Sequence, residues 1–116
     1  AAEWRNGIAT VAACPNVMLK LGGMGMPRWG FGWHPRDIPV GAEEVAESMS
    51  PWMTYCIEKF GPDRCMFESN FPVDKLSCSY TVLWNQFKKL TAGFSATERA
   101  AVFHDTAKRV YRLPQV

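Results

Sequence analysis

The chain has 116 residues, room for one small domain and too few for two. Its 13 Lys and Arg stand against 11 Asp and Glu, a net charge of +2, so it lacks the basic footprint of a nucleic-acid binder. Hydrophobic residues make up 47% and charged residues 21%, the usage of a folded globular chain and far from the disordered range.

No apolar run approaches the ~18 residues that cross a bilayer. Ala1-Ala2-Glu3-Trp4-Arg5 lacks the charged-then-apolar layout of a signal peptide. The expectation is a cytoplasmic chain with no membrane or nucleic-acid partner. The four cysteines, Cys14, Cys56, Cys65 and Cys78, form no C-x-x-C pair and have no histidine at ligand spacing, which argues against structural zinc. Buried or half-buried free thiols in a reducing compartment are expected, although an even count leaves disulfides open.

In chain order, Trp4 to Ala13 reads as the tail of a helix, with Trp4, Ile8, Val11 and Ala12 on one face and Pro15-Asn16 as its stop. Val17 to Leu21 is a short apolar run between Pro15 and Gly22-Gly23, the pattern of a parallel strand buried on both faces. Gly22 to Gly41 is so rich in Gly and Pro that it predicts a loop with no regular element. Loops of ~20 residues in compact domains are usually functional or disordered, and Trp29, Phe31 and Trp33 oppose disorder.

Ala42 to Phe60 has helical spacing at Val45, Met49, Met53, Cys56 and Phe60, with a break and restart expected at Ser50-Pro51. Arg64 to Phe67 is a second apolar strand, followed by the turn Glu68 to Asp74. A helix over Ser79 to Thr91 carries Tyr80, Leu83, Trp84, Phe87 and Leu90 as its apolar stripe. The last helix opens on Ser95-Ala96-Thr97-Glu98, a capping box, with Ala100, Phe103, Ala107 and Val110 or Tyr111 as its buried face.

Strands alternating with helices imply parallel pairing through right-handed crossovers. Two strands cannot bury both faces of a sheet, and a complete (β/α)8 barrel needs ~250 residues. The expected class is therefore α/β, a piece of something larger or a chain completed by self-association.

Three segments carry a resemblance: Pro15 to Gly23, Phe60 to Asp74 and Glu98 to Leu113. Together they resemble the carboxy-terminal part of the amidohydrolase 2 family, TIM-barrel hydrolases and decarboxylases that usually depend on a metal. The resemblance implies a carboxy-terminal part of a (β/α)8 TIM barrel, with Val17 to Leu21 as strand seven and Cys65 to Glu68 as strand eight. All of residues 1–116 would form one unit, incomplete as a single chain. The family's histidines on strands one, five and six would lie outside it, so no metal or other cofactor is expected on this chain alone, and a zinc-like divalent metal is implied only for a longer parent.

The family's eighth strand usually ends in Gly-Ser-Asp-x-Pro, whereas here Glu68-Ser69-Asn70-Phe71-Pro72 stands in its place. A neutral amide cannot act as general base and is a weaker cation ligand than a carboxylate. Asp74 or Glu68 taking over, Asn70 positioning a substrate, and a metal-independent subgroup all remain open.

In a TIM barrel the chemistry sits at the carboxyl ends of the strands. That singles out Asn70 and Asp74 as candidate catalytic residues facing a pocket mouth; ordinary turn chemistry is the competing reading. Lys20, Trp33, His34 and Glu68 are candidate substrate contacts. Against them stand a snorkelling lysine, a small aromatic cluster pinning the loop and a solvated loop histidine. His104 reads as a surface or helix-packing residue, and the methionines as core filling.

The implied function is hydrolysis of a lactone, amide or ester bond in a small carboxylated or cyclic substrate by activated water. A non-catalytic association module, inactive alone and covered by a second copy, is the alternative.

Overall fold

The computed structural model describes residues 1–115. They group into two compact units. One comprises Ala1–Leu21, Trp52–Phe67 and the residues from Phe94 onward; the other comprises Gly22–Pro51 and Glu68–Gly93. Among the described residues no helix is long and apolar enough to cross a membrane.

The first unit holds α1 (Ala2–Ala12), β1 (Leu19–Leu21) and β2 (Cys65–Phe67). The strands pair in parallel, Leu19 opposite Cys65, Lys20 opposite Met66 and Leu21 opposite Phe67. All of β2 is buried. In β1 only Leu21 is buried, with Leu19 half-buried and Lys20 exposed, so the expectation of a strand buried on both faces fails there. The central residue of β1 is a lysine, a type that is rarely buried, and among the described residues the sheet has only these two strands.

Arg64 organises the approach to β2. Its Nη2 donates to the Ala12 carbonyl at 2.9 Å, Nη1 to that of Cys14 at 3.0 Å and Nε to that of Phe60 at 2.9 Å. The guanidinium also lies 5.1 Å from the Phe60 ring centre. One planar fork thus caps the carboxyl ends of α1 and of α2 (Ala42–Phe60), where unpaired carbonyls concentrate partial negative charge. Trp4 packs edge-on against Trp52 at 5.1 Å, and the Tyr55 hydroxyl donates to the Arg5 carbonyl at 3.0 Å, which seats α1 on the second half of α2.

The closing segment begins with the expected capping box. Ser95 Oγ accepts from the Glu98 N–H at 3.1 Å and the Glu98 carboxylate accepts from the Ser95 N–H at 2.9 Å. These bonds hold the Glu98 carboxyl below the usual carboxylate range. The helix then changes pitch: α4 (Ala96–Ala100) passes through a π turn (Ala101–Asp105) into α5 (Thr106–Val110).

The predicted stripe of Ala100, Phe103, Ala107 and Val110 or Tyr111 is accordingly displaced. Val102 and Thr106 are the buried positions, Phe103 packs edge-on against Phe67 at 5.0 Å, and Ala100 and Tyr111 are exposed. A wider turn inserts an extra residue into the 3.6-residue repeat and rotates the face that points inward. Thr106 Oγ1 donates to the Pro62 carbonyl at 3.1 Å, and the Arg109 guanidinium donates to that of Asp63. Both clamp the 3-10 turn Pro62–Arg64 ahead of β2. His104 is exposed and paired with Asp105, as a surface histidine should be.

The expected break at Ser50-Pro51 does not occur. α2 runs unbroken from Ala42 to Phe60 with Pro51 inside it. Proline there forfeits one backbone hydrogen bond, while Val45, Met49, Met53, Cys56 and Phe60, each at most 5% exposed, bury a continuous stripe that outweighs that loss.

The second unit adds α3 (Tyr80–Leu90), N-capped by Ser79, whose Oγ accepts from the Val82 N–H at 3.1 Å. Leu83 and Phe87 are buried. The Gly-rich loop contains one short regular piece that sequence reading missed, a 3-10 turn at Pro27–Trp29.

Cys56, Cys65 and Cys78 are buried, and desolvation pushes their thiols up to about 11, about 12 and about 11. Cys14, expected to be at least half-buried, is exposed in the turn after α1. Ellman's reagent at pH 8 should therefore titrate one thiol of the native chain, and a Cys14→Ser variant none until urea is added. Three fast thiols in the native chain would contradict this burial pattern.

Candidate functional site

The segments that follow the two strands in sequence, Gly22 to Gly25 and Glu68 to Leu76, both belong to the second unit. They meet at Asp74. This carboxylate is 1% exposed. Its Oδ2 accepts from the Gly25 N–H at 3.1 Å and its Oδ1 from Asn70 Nδ2 at 2.8 Å. The Ser77 hydroxyl donates to the Gly25 carbonyl, so the Gly25 residue is gripped through both backbone polar groups.

A carboxylate buried with both oxygens hydrogen-bonded is stable where an unpaired one would not be. Asp74 is thus buried, with its two oxygens on Gly25 and Asn70. Sequence reading singled out neither Gly25 nor Ser77. The only available signal was Gly25 itself, one of several glycines in its loop.

Asn70 has φ 53°, left-handed backbone that Asn tolerates better than most residues. The Asp74 carboxylate accepts only, so the amide nitrogen of Asn70 must face it. The Asn70 Oδ1 is thereby turned away from Asp74, with no hydrogen-bond partner among the described residues. The Asp74 N–H in turn donates to the Asn70 carbonyl at 3.1 Å, and the Phe71 N–H to Ser69 Oγ at 3.2 Å. These hydrogen bonds tie the turn together, and Asn70 is half-buried within it.

Gly25 has no room for a side chain, because a Cβ there would lie 2.8 Å from Asp74 Oδ2. Gly25→Ala should cost the chain about 1–3 kcal/mol, read as a shifted urea midpoint, whereas Gly93→Ala, with nothing within 4 Å, should not destabilise it this way. Glu68 is half-buried and lies across Gly22, whose added Cβ would come within 2.4 Å of the Glu68 Cγ. Lys20 is on β1, exposed.

The aromatic loop residues separate in role. Trp29 is exposed, while Trp33 is buried and stacked on Phe31 with centroids 4.7 Å apart and planes 9° apart. Trp33 and His34 come together with Lys75, Ser77, Cys78 and Ser79 around a cavity of about 300 Å³. At its margin Arg36 grips the Glu44 carboxylate with Nη1 at 2.9 Å and Nη2 at 2.7 Å. That pairing raises the Arg36 guanidinium and lowers the Glu44 carboxyl from their usual values.

Among the described residues no three His, Cys, Asp or Glu side chains cluster. Asn70 offers only a neutral amide oxygen, and the Asp74 carboxylate behind it accepts from Gly25 and Asn70.

A family model described as Amidohydrolase matches residues 1–113. An uncharacterized protein, y4mH, from Sinorhizobium fredii is 46% identical over 110 residues, covering 95% of this chain and 33% of the relative. An L-fucono-1,5-lactonase from Burkholderia multivorans is 31% identical over 116 residues, covering 98% of this chain and 36% of the relative. An L-rhamnono-gamma-lactonase from Scheffersomyces stipitis is 25% identical over 104 residues, covering 85% of this chain and 29% of the relative.

Crystal structures of an amidohydrolase from Burkholderia multivorans, one with bound HEPES and one with bound Zn, superpose with a TM-score of 0.82 at 31% identity. They cover 97% of this chain and 37% and 38% of theirs. The chain thus spans about a third of the length of the curated relatives it matches. Sequence and fold agree over nearly every residue described: the chain belongs to the amidohydrolase family.

Proposed function

We propose that the chain supplies the seventh and eighth strands of a (β/α)8 barrel that hydrolyses a small cyclic ester, a lactone. Water adds to the lactone carbonyl carbon, the ring C–O bond breaks, one proton of the water ends on the ring oxygen and the other is released, and a hydroxy-carboxylate leaves. The relatives whose names specify lactones support that bond type, ahead of the amide and open-chain ester alternatives.

The observation that carries the reading is the grip on Gly25 by Asp74 and Ser77. It fixes the segments after both strands to one another, as a rim that must hold a reacting group in place requires. In this scheme Asn70 is the residue that touches substrate or water, accepting a proton-bearing group on Oδ1. Asp74 is a positioning residue that orients the amide. Lys20, Glu68, Trp33 and His34 supply substrate contacts, and proton removal from water falls to groups elsewhere in the barrel, since an amide cannot perform it. A divalent metal in the complete protein would polarise the carbonyl, held by residues other than those described.

The test is a chimera of the amino-terminal two thirds of the Burkholderia multivorans relative joined to this chain. Once monodisperse and folded by circular dichroism, it should hydrolyse L-fucono-1,5-lactone or another aldonolactone, followed by proton release. A folded chimera inert towards lactones but active on amides or open-chain esters would overturn the bond assignment; one inert towards all three would overturn the hydrolase reading.

A second reading, self-association of a non-catalytic chain, draws on the exposed Ile38, Leu76 and Tyr80 and on the open edge of β1. Light scattering on the isolated chain separates the two, because a stable monomer removes the second.

A further inference from the structure

The cavity beside Trp33 has an unusual balance of engaged and unengaged groups. Arg36 is taken by Glu44. The Ser77 hydroxyl donates to the Gly25 carbonyl, and the Ser79 hydroxyl accepts from the Val82 N–H and keeps its own proton to donate. Burial holds the Cys78 thiol neutral. Of the basic side chains in the lining, Lys75 and His34 are both exposed and neither has a side-chain hydrogen bond or ion pair among the described residues.

No carboxylate lines the cavity. The amino-terminal end of α3, an 11-residue helix, opens at Ser79 in the same wall and adds partial positive charge. Trp33 and Pro39 supply apolar wall. The volume, about 300 Å³, suits a ligand of roughly sugar-acid size, at the small end of ligand pockets.

We propose that this cavity is a binding subsite for a small hydroxy-carboxylate, with the Lys75 ammonium on the carboxylate and His34 on the hydroxyls. Its identification with the ring-opened product of lactone hydrolysis rests on the function proposed above. The site itself rests on the two uncommitted basic side chains in a lining without a carboxylate, the acid at its margin, Glu44, being engaged by Arg36. A lactone is neutral and its product is an anion, so a cationic subsite distinguishes the two by charge. It would retain the product near the rim, because Ser77 belongs both to the cavity wall and to the grip on Gly25.

The experiment is an amide-shift NMR titration of the 116-residue chain with sodium gluconate, in parallel with D-glucitol, which keeps the hydroxyl chain and lacks the carboxylate, and with inorganic phosphate. Gluconate should shift the amides of residues 33–36 and 75–79 saturably, and glucitol should not. Lys75→Ala should weaken binding about tenfold or more, the loss of one charge-assisted contact. Lys75→Arg should stay within about threefold of the parent, because the charge is kept, and His34→Ala should weaken binding less than Lys75→Ala.

Phosphate binding as tightly as gluconate, glucitol shifting the same amides, or gluconate binding unchanged in Lys75→Ala would each overturn the site. Gluconate binding to a chain whose folded chimera hydrolyses no lactone would remove the reaction and leave the subsite. Lactone hydrolysis without gluconate binding would do the reverse.

Discussion

Arg64→Met should lower the unfolding free energy of the chain by about 3 kcal/mol, read from urea denaturation, since hydrogen bonds to charged groups contribute about 1.5–3 kcal/mol each and do not add fully. The guanidinium serves carbonyls at the ends of both α1 and α2, from Ala12, Cys14 and Phe60. Methionine fills similar space and leaves those carbonyls unserved. Arg64→Lys should recover less than half of the loss. One ammonium can reach one or two of the acceptors, but it cannot present the planar fork that meets two helix ends at once. A loss below about 1 kcal/mol, the scale of one ordinary neutral hydrogen bond, would mean that the fork is incidental to the fold.

Asn70→Asp carries the other large effect, because it introduces the aspartate that the resemblance implies at this position and should nevertheless harm this chain. The new carboxylate would stand where Asn70 Nδ2 now sits, 2.8 Å from Asp74 Oδ1, against a group that is 1% exposed. Like charges at that range disfavour ionisation. The value of the new carboxyl in the folded state is therefore raised above its unfolded value.

The sign follows from that shift. Below about pH 4, the unfolded carboxylate range, the variant should lose little through repulsion. As pH rises through that range the unfolded chain ionises first, so stability falls, and the loss levels off above the raised folded value at about 2–3 kcal/mol. The double variant Asn70→Asp with Asp74→Asn should recover at least half of this. It restores one amide and one carboxylate in reversed positions, with the new amide oxygen at position 74 accepting the Gly25 N–H. If the single variant is as stable as the parent at pH 8, or if the double variant is worse than the single one, Asn70 and Asp74 are not the coupled pair described.

These two residues also mark where the sequence was legible. The span of α2 could be read to the residue because its apolar stripe repeats without a gap, but not its passage through Pro51: local propensity predicts a break there, and burial on both sides of the proline overrides it. The capping box at Ser95 was legible because its two hydrogen bonds join residues three apart. The face of the closing helix was not, because a π turn changes the period on which such a reading depends.

Arg64 reads in sequence only as the residue before an apolar strand, and its partners at Ala12 and Cys14 are 52 and 50 positions away. The candidate site divides in the same way. Asn70 and Asp74 were visible through the turn after β2, whereas the burial of Asp74 and its grip on Gly25, 49 residues away, arise only when the chain is folded. Trp33 and His34 were singled out as loop residues, but nothing in their spacing announced Lys75 as their neighbour across the cavity.

In the proposed function Asn70, oriented by Asp74, touches the reacting lactone or water. The most direct test of that claim is steady-state hydrolysis of L-fucono-1,5-lactone by the folded chimera carrying Asn70→Ala, beside the unsubstituted chimera. The expected result is a kcat at least about 100-fold lower, the usual consequence of removing one oriented polar group from a reacting centre, with KM changed far less and the folded state retained. An unchanged kcat in a folded variant would contradict the claim.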